Sequence, residues 1–155
     1  MPLTHTYTSR LSWRGSTAVG YDSYERTHRV STPPAEGELE MTSDPAFRGT
    51  ASLPNPEQLL LASASSCQLL SFLAMAARSR IDVLAYDDAA EAVMPEDDKP
   101  VRITRITLRP HIVVAAGADL ERVRRLVSRA HHGCYIANTL NAEMVIEPTL
   151  DHATA

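Results

Sequence analysis

Residues Asn55 to Arg80 read NPEQLLLASASSCQLLSFLAMAARSR, and this stretch decides the fold. Asn55 is a suitable N-cap, Pro56 suits the first helical position and Gln58 can complete a capping box. The pattern therefore predicts the longest helix of the chain. Residues 59–77 are almost free of charge, and apolar side chains recur on every side. A helix without a polar stripe is expected to run through the protein interior.

Cys67 lies near the middle of this helix. It follows a run of small residues, Ala62, Ser63, Ala64, Ser65 and Ser66. Small side chains allow another backbone or a ligand to approach the thiol. A thiol in this setting is either inert core or a reactive group, and the helix alone leaves both open.

Length and composition restrict the function classes. The chain has 155 residues and a mass of 17.0 kDa, so we expect one domain over residues 1–155. Its 15 basic and 19 acidic residues give a net charge of -4, which offers no global attraction to nucleic acid. The apolar helix contains Ser and Gln and is flanked by structure-forming segments, so we expect no membrane partner.

Two features bear on the compartment. Residues 1–10 lack the basic start and apolar run of a secretion signal, which favours a cytoplasmic protein. With only two cysteines in a reducing compartment, a redox or metal role is a more natural question than a structural disulfide.

Hydrophobic alternation and turn residues predict an α+β chain. The expected strands are 4–13, 17–24, 24–31, 81–94, 101–115 and 144–147. The first two are expected to form a hairpin, and the strand 101–115 to contain a bulge near Thr104 and Arg105. A long loop covers 33–54. A second helix runs from Asp119 to Gly133, and a short one covers 134–140. In the second helix we expect a buried stripe of Leu120, Val123, Leu126, Val127 and Ala130, and a solvated face of Arg122, Arg124, Arg125 and Arg129.

Cys134 follows His131, His132 and Gly133, where one helix ends and another can begin. A helix N-terminus or a nearby protonated histidine favours thiolate, although a small half-buried residue at a turn fits equally well. The same three ligands, His131, His132 and Cys134, raise a zinc hypothesis. A closed zinc site needs four ligands, and no C-x-x-C or H-x-x-x-H spacing supplies them, so we expect no metal.

Two motifs resemble those of the OsmC/Ohr family, the osmotically inducible and organic hydroperoxide resistance proteins. The segment 55–70, NPEQLLLASASSCQLL, resembles the family's central-helix signature, in which the reactive cysteine follows the helix-start Glu by ten positions. Glu57 and Cys67 keep this spacing. The segment 130–140, AHHGCYIANTL, is similar to the second motif and holds Cys134.

The resemblance implies an OsmC-like fold, with antiparallel sheets packed around a long buried central helix in an intertwined homodimer. It also implies a cytoplasmic antioxidant enzyme that reduces organic hydroperoxides without a cofactor. Cys67 would attack the peroxide, and Cys134 would resolve the sulfenic acid as a disulfide. A small dithiol or a dithiol protein would then reduce this disulfide.

In the family an arginine and the helix-start Glu attend the reactive thiol. Burial in an apolar helix should raise the pKa of Cys67, and a guanidinium within about 4–6 Å would oppose this rise. The Glu maps onto Glu57. For the arginine, Arg48 is favoured and Arg26 is second. Ten helical residues advance about 15 Å, which is too far for Glu57 to touch Cys67 directly. Either the arginine spans part of this distance, or the helix bends, or a second chain contributes.

One alternative is a non-catalytic or redox-sensing protein that binds an apolar ligand on the same scaffold. Candidate pocket residues are Phe47, Leu60, Phe72 and Tyr135, all of which also fit an ordinary core.

Overall fold

The computed structural model describes residues 1–154 and divides into two compact units, Met1–Leu59 and Leu60–Ala155. The predicted α+β class is confirmed, since the described residues form three sheets and three α-helices. The strands are β1 (Arg10–Ser12), β2 (His28–Ser31), β3 (Leu39–Met41), β4 (Val83–Asp88), β5 (Glu91–Val93), β6 (Arg105–Leu108), β7 (Pro110–Val114), β8 (Glu143–Ile146) and β9 (Thr149–His152). The helices are α1 (Pro56–Arg78), α2 (Leu120–His132) and α3 (Tyr135–Thr139).

The first unit contains an antiparallel sheet in the order β1-β2-β3. The hairpin arm predicted at 17–24 is wrong, because Thr17–Val19 is a 3-10 helix. Ser16 caps this helix by accepting the Ala18 N–H at 3.2 Å. The partner of β1 is β2, where Leu11 lies opposite Val30. The predicted loop 33–54 contains β3 and a second 3-10 helix, Pro45–Phe47.

Helix α1 begins at the predicted capping box. The N–H of Gln58 donates to Oδ1 of Asn55 at 2.9 Å, and the N–H of Asn55 donates to Oε1 of Gln58 at 3.1 Å. These reciprocal bonds satisfy backbone donors that a helix start otherwise leaves free. The predicted start of the helix is therefore confirmed.

The second unit contains two sheets, in the orders β4-β7-β9 and β5-β6-β8. The single strands predicted at 81–94 and 101–115 are wrong, because each segment divides between the two sheets. The predicted bulge near Thr104 is also wrong: residues 101–104 precede β6, which begins at Arg105 and pairs with β8 without a register shift. From Ile106 to Val114 every second residue is buried, on both sides of the exposed Arg109. Strand β9 was missed because Leu150 is its only buried residue.

The predicted buried stripe of α2 is confirmed at four positions, and its arginine face is exposed. Helix α1 adds Phe72 and Ala76 to the same core, which also contains Ile112 and Val114 from β7. A second cluster joins Ala64 of α1 to buried residues of β6. These contacts hold the middle of α1 against both sheets of the second unit.

Within one chain, α1 buries only one face. Its buried residues, Ala64, Gln68, Phe72 and Ala76, recur every four positions, whereas Leu70 is 63% exposed. The prediction of an interior helix therefore holds for one face of α1. By length and composition, α1 is also the one helix within residues 1–154 that could cross a membrane. Core helices of soluble proteins pass the same test.

Phe72→Ala should lower the free energy of unfolding by about 3–5 kcal/mol, because it leaves a cavity in a close-packed core. The Phe72 ring is fully buried and lies 5.9 Å from the ring of Tyr86. Urea denaturation followed by circular dichroism measures the change. The exposed Arg125→Ala is the control, with an expected change within about 0.5 kcal/mol. Equal urea midpoints for the two variants would contradict the assignment of Phe72 to the core.

Candidate functional site

The second unit brings the two cysteines together. Cys67 projects from α1, and Cys134 is the N-cap of α3, immediately after Gly133 ends α2. Both thiols are free, and they are close enough for each to shift the pKa of the other. Cys134 is buried, whereas Cys67 is half-buried and so keeps a route to solvent. Two thiols in this arrangement can interact directly.

The turn between α2 and α3 supplies hydrogen-bond donors to both sulfurs. Sγ of Cys134 accepts the backbone N–H of Ala137 at 3.5 Å, as an N-cap side chain does. The backbone N–H groups of Tyr135 and Ile136 approach the sulfur of Cys67. Backbone N–H groups in the first turn of a helix have no intrahelical acceptor, so they are free to serve a thiolate.

The pKa of the Cys67 thiol lies below its ordinary value. Burial raises this pKa, but hydrogen bonds from Cys134, the N–H of Ile136, the Ser71 hydroxyl and the N–H of Tyr135 together outweigh the effect of burial. All four donors are neutral groups of the second unit. The thiolate of Cys67 is therefore stabilised by hydrogen bonds before any cation is considered.

The pKa of the Cys134 thiol moves the opposite way, to about 11. Burial is the main cause, and the hydrogen bond and charge of Cys67 add to it. From sequence, thiolate at Cys134 itself and a small half-buried residue at a turn fit equally well. The free N–H groups of the helix start favour thiolate at Cys67 instead, because Cys134 is buried and faces a thiolate. The pair therefore contains one ionisable sulfur and one that stays protonated at neutral pH.

The two thiols should differ in their reaction with iodoacetamide, which attacks thiolates. The thiolate fraction of Cys67 rises as the pH passes its lowered pKa, so Cys67 should be alkylated at neutral pH. Cys134 should react only as the pH approaches about 11. Peptide mass spectrometry of the reduced protein between pH 5 and 11 measures both curves. Equal rates at pH 7 would contradict the assigned pKa order.

The first unit holds a cavity of about 440 Å³. Two predicted site residues, Arg26 and Glu57, line it together with Trp13, Tyr24 and Phe47. The side-chain hydroxyl of Thr42, also in the lining, is buried and has no hydrogen-bond partner among residues 1–154. This cavity combines a cation and a carboxylate with aromatic walls.

Arg26 is fixed in this cavity by an unusual set of contacts. Its guanidinium donates to the backbone carbonyls of Tyr24, at 2.6 Å, and of Tyr21. It also stacks on both rings, 3.9 Å from the Tyr24 centroid and 4.9 Å from the Tyr21 centroid. Arg26 is only 8% exposed. A buried guanidinium held by carbonyls and ring faces has a defined orientation.

Arg48 occupies a different environment. Its side chain is 60% exposed and pairs with Asp22 at 3.0 Å. Its backbone is left-handed, with φ of 69°, where it caps the 3-10 helix Pro45–Phe47. Arg48 does not line the cavity that contains Arg26 and Glu57.

Comparison with known proteins places the chain in a family. A sequence profile described as OsmC-like protein matches residues 49–149. The chain belongs to the OsmC-like protein family. Among curated relatives, peroxiredoxin OsmC of Escherichia coli (strain K12) is 25% identical over 93 residues, which are 60% of this chain and 64% of that relative. The match thus spans less than two thirds of the relative's length.

Solved structures agree on the OsmC-like fold. An OsmC-like protein from Vibrio cholerae superposes with a TM-score of 0.85 at 24% identity, covering 94% of this chain and 100% of the other. An organic hydroperoxide resistance protein OsmC from Legionella pneumophila gives 0.69 at 18% identity, covering 99% and 100%. These similarities establish the fold of this OsmC-like protein.

The remaining candidate residues lie in different environments. Of the four proposed pocket residues, Phe47 lines the cavity, Phe72 belongs to the core, and Leu60 and Tyr135 are exposed. No group of three or more His, Cys, Asp or Glu side chains within residues 1–154 could hold a metal ion. Within this part of the chain, His131, His132 and Cys134 therefore do not form such a group.

Sequence reasoning missed three parts of the site. The N–H groups of Tyr135 and Ile136 carry no side-chain signal, so no sequence motif reveals them. Ser71 could have been found, because it follows Cys67 by four residues and therefore lies on the same side of α1. The aromatic clamp of Arg26 also had a local signal, since Tyr21 and Tyr24 precede it closely.

Proposed function

We propose that this OsmC-like protein is a thiol-dependent peroxidase that reduces organic hydroperoxides. The observation that carries the proposal is the pair of adjacent thiols with opposite pKa shifts, low at Cys67 and high at Cys134. A peroxidatic cysteine must be a thiolate at neutral pH. The printed names of the E. coli and L. pneumophila relatives, a peroxiredoxin and an organic hydroperoxide resistance protein, support the same activity.

The first step transfers one oxygen atom. The Cys67 thiolate attacks the terminal oxygen of the hydroperoxide, the O–O bond breaks, and the alkoxide leaves and takes up a proton as the alcohol. Cys67 becomes a sulfenic acid. The charge of Cys67 disappears in this step, which removes one of the causes that hold the pKa of Cys134 high.

The second step closes a disulfide. The sulfur of Cys134 attacks the sulfur of the sulfenic acid, and water leaves. A small dithiol or a dithiol protein then supplies two electrons and two protons to restore both thiols. The reaction needs no metal or bound cofactor. We place it in the cytoplasm, where such reductants keep thiols reduced.

We further propose that Arg26 and Glu57, rather than Arg48, lie beside the bound peroxide. Arg26 and Glu57 line one cavity, whereas the Arg48 guanidinium is engaged in an exposed ion pair. The guanidinium would stabilise negative charge as the O–O bond breaks. Since ten residues of α1 advance about 15 Å, the Cys67 that uses this pair is best supplied by a second copy of the chain.

A homodimer is part of this proposal. Each copy exposes large apolar side chains, including Leu70 on α1. A solvent-exposed apolar face on a central helix favours association with another apolar surface. Sedimentation equilibrium should give twice the chain mass of 17.0 kDa. A monomer at micromolar concentration would contradict the dimer.

Turnover with dithiothreitol tests the activity. The purified protein should consume cumene hydroperoxide or tert-butyl hydroperoxide at neutral pH. Mass spectrometry after one equivalent of peroxide should show a loss of about 2 Da as the disulfide forms. If no peroxide is consumed and the mass is unchanged, the peroxidase proposal fails, and a binding protein on the same scaffold becomes the better description.

A further inference from the structure

The second unit contains a cavity of about 350 Å³ whose lining includes neither cysteine. This volume lies within the range of small-molecule sites in proteins. The proposed peroxidase chemistry makes no use of it. The lining consists of Arg124, Val127, Ser128 and His131 of α2, Ile146 of β8 and Pro148.

The lining combines polar and apolar side chains. Arg124, Ser128 and His131 follow one another at spacings of four and three, so they lie on one side of α2. They bring a guanidinium, a hydroxyl and an imidazole ring to the cavity. The other three lining residues are apolar. Polar groups beside an apolar surface suit an organic ligand better than an inorganic ion.

His131 carries an unsatisfied polar atom. Its Nδ1 is buried and has no hydrogen-bond partner in the described part of the chain. The neighbouring His132 lies outside the lining, and Nδ1 of that ring is 2.8 Å from the carbonyl oxygen of Ser128. Burial and then His132 lower the pKa of His131, so its ring is neutral at neutral pH. Buried ring nitrogens are usually hydrogen-bonded, so this one is available to a ligand in the cavity.

Arg124 supplies a positive charge. Its Nε lies 3.8 Å from Oε1 of Glu121, beyond hydrogen-bonding distance, and both side chains are more than half exposed. An exposed pair of this kind contributes little free energy, so a ligand carboxylate can replace it. Arginine binds carboxylates through two parallel N–H donors. Arg124 and His131 are seven residues apart, about 10 Å along the helix axis, so one carboxylate does not reach both.

We propose that this cavity binds a small organic acid with an apolar body and a polar group at each end. Arg124 binds the carboxylate at one end, and His131 bonds a hydroxyl or carbonyl at the other. The apolar side chains of Ile146 and Pro148 contact the body between them. One guanidinium matches one negative charge, which favours a monocarboxylate over a dianionic phosphate. The proposal does not depend on the peroxidase function.

Two probes test the site, because 4-hydroxybenzoate and benzoate share charge and ring and differ by one hydroxyl. Each is titrated into the full-length protein at constant ionic strength and followed by two-dimensional ¹H–¹⁵N NMR. We expect shifts at residues 124–131 and 146, with a dissociation constant for 4-hydroxybenzoate on the order of 1 mM. Benzoate should bind about three- to tenfold more weakly. The affected residues distinguish this cavity from that of the first unit, which also contains an arginine.

Four variants assign the two ends of the ligand. Arg124→Gln should weaken both probes about tenfold, whereas Arg125→Gln makes the same charge change outside the lining and should leave both within about twofold. His131→Phe keeps a ring but no nitrogen, so it should remove the preference for 4-hydroxybenzoate. His132→Phe should retain that preference. Thermal unfolding checks the fold of each variant.

The absence of shifts in these residues well above about 1 mM probe would overturn the proposal. Equal effects of Arg124→Gln and Arg125→Gln would also overturn it, since binding would then reflect general attraction to the arginines of α2. A preference for 4-hydroxybenzoate that survives in His131→Phe would refute the role of His131. Peroxide turnover is not measured, so a failure of the proposed function would leave these results unaffected.

Discussion

Replacing Cys67 with serine should abolish hydroperoxide consumption, with a loss in kcat/KM of about a thousandfold or more. A serine hydroxyl does not ionise near neutral pH, so the hydrogen bonds that lower the pKa of Cys67 would have no anion to stabilise. Serine contains no sulfur, so it can form neither a sulfenic acid nor a disulfide with Cys134. Turnover of cumene hydroperoxide with dithiothreitol measures the loss.

Cys134→Ser is the matched control, because it removes the other sulfur of the pair. Cys67 would keep its backbone N–H donors, so this variant should still consume about one equivalent of peroxide and form a sulfenic acid that dimedone labels. Without the second sulfur, no intramolecular disulfide should appear. If Cys67→Ser consumed peroxide at the wild-type rate, Cys67 would not be the reacting group.

The helices could be predicted from sequence because their signals are local. Asn55 and Gln58 form the expected capping box, and Asp119 caps α2 by accepting two N–H groups. Each of these bonds spans three residues or fewer. Both partners of each bond therefore fall within one short segment of sequence.

The strands were harder because their partners are distant in sequence. Residues 101–115 alternate well enough to suggest one strand, yet they contribute β6 and β7 to different sheets. The parallel partners of these strands, β8 and β9, come more than thirty residues later. Alternation reports which side of a strand is buried, but it does not report which sheet buries it.

The pairing of Cys67 with Cys134 was available only through the resemblance to a family, because sequence separation does not report distance. Of the groups that lower the pKa of Cys67, Ser71 had a sequence signal in its four-residue spacing, whereas the backbone N–H groups of Tyr135 and Ile136 had none. The sequence argument required a guanidinium to oppose burial. In the second unit, neutral donors from the α2–α3 turn and Ser71 already do so. This leaves the arginine free for a different task, the stabilisation of charge on the peroxide.

Arg26→Lys and Arg48→Lys should therefore have very different effects on peroxide reduction. Lysine at position 26 keeps the charge but loses the planar group that stacks on Tyr24 and donates to two carbonyls. We expect kcat/KM to fall about 10- to 100-fold, because a displaced cation stabilises developing charge poorly. Arg48→Lys alters only an exposed ion pair with Asp22, and we expect a change of about twofold or less.

The pair of variants decides between the two arginines because both substitutions keep the net charge. Thermal unfolding of each variant shows whether a loss of activity reflects a loss of fold. Comparable activities for the two variants would mean that the cavity with Arg26 and Glu57 does not serve the reaction. A large effect confined to Arg48→Lys would instead support Arg48, the arginine favoured from the sequence. A large effect confined to Arg26→Lys would mean that burial and ring stacking, rather than distance from the helix start, determine which cation stabilises charge on the peroxide.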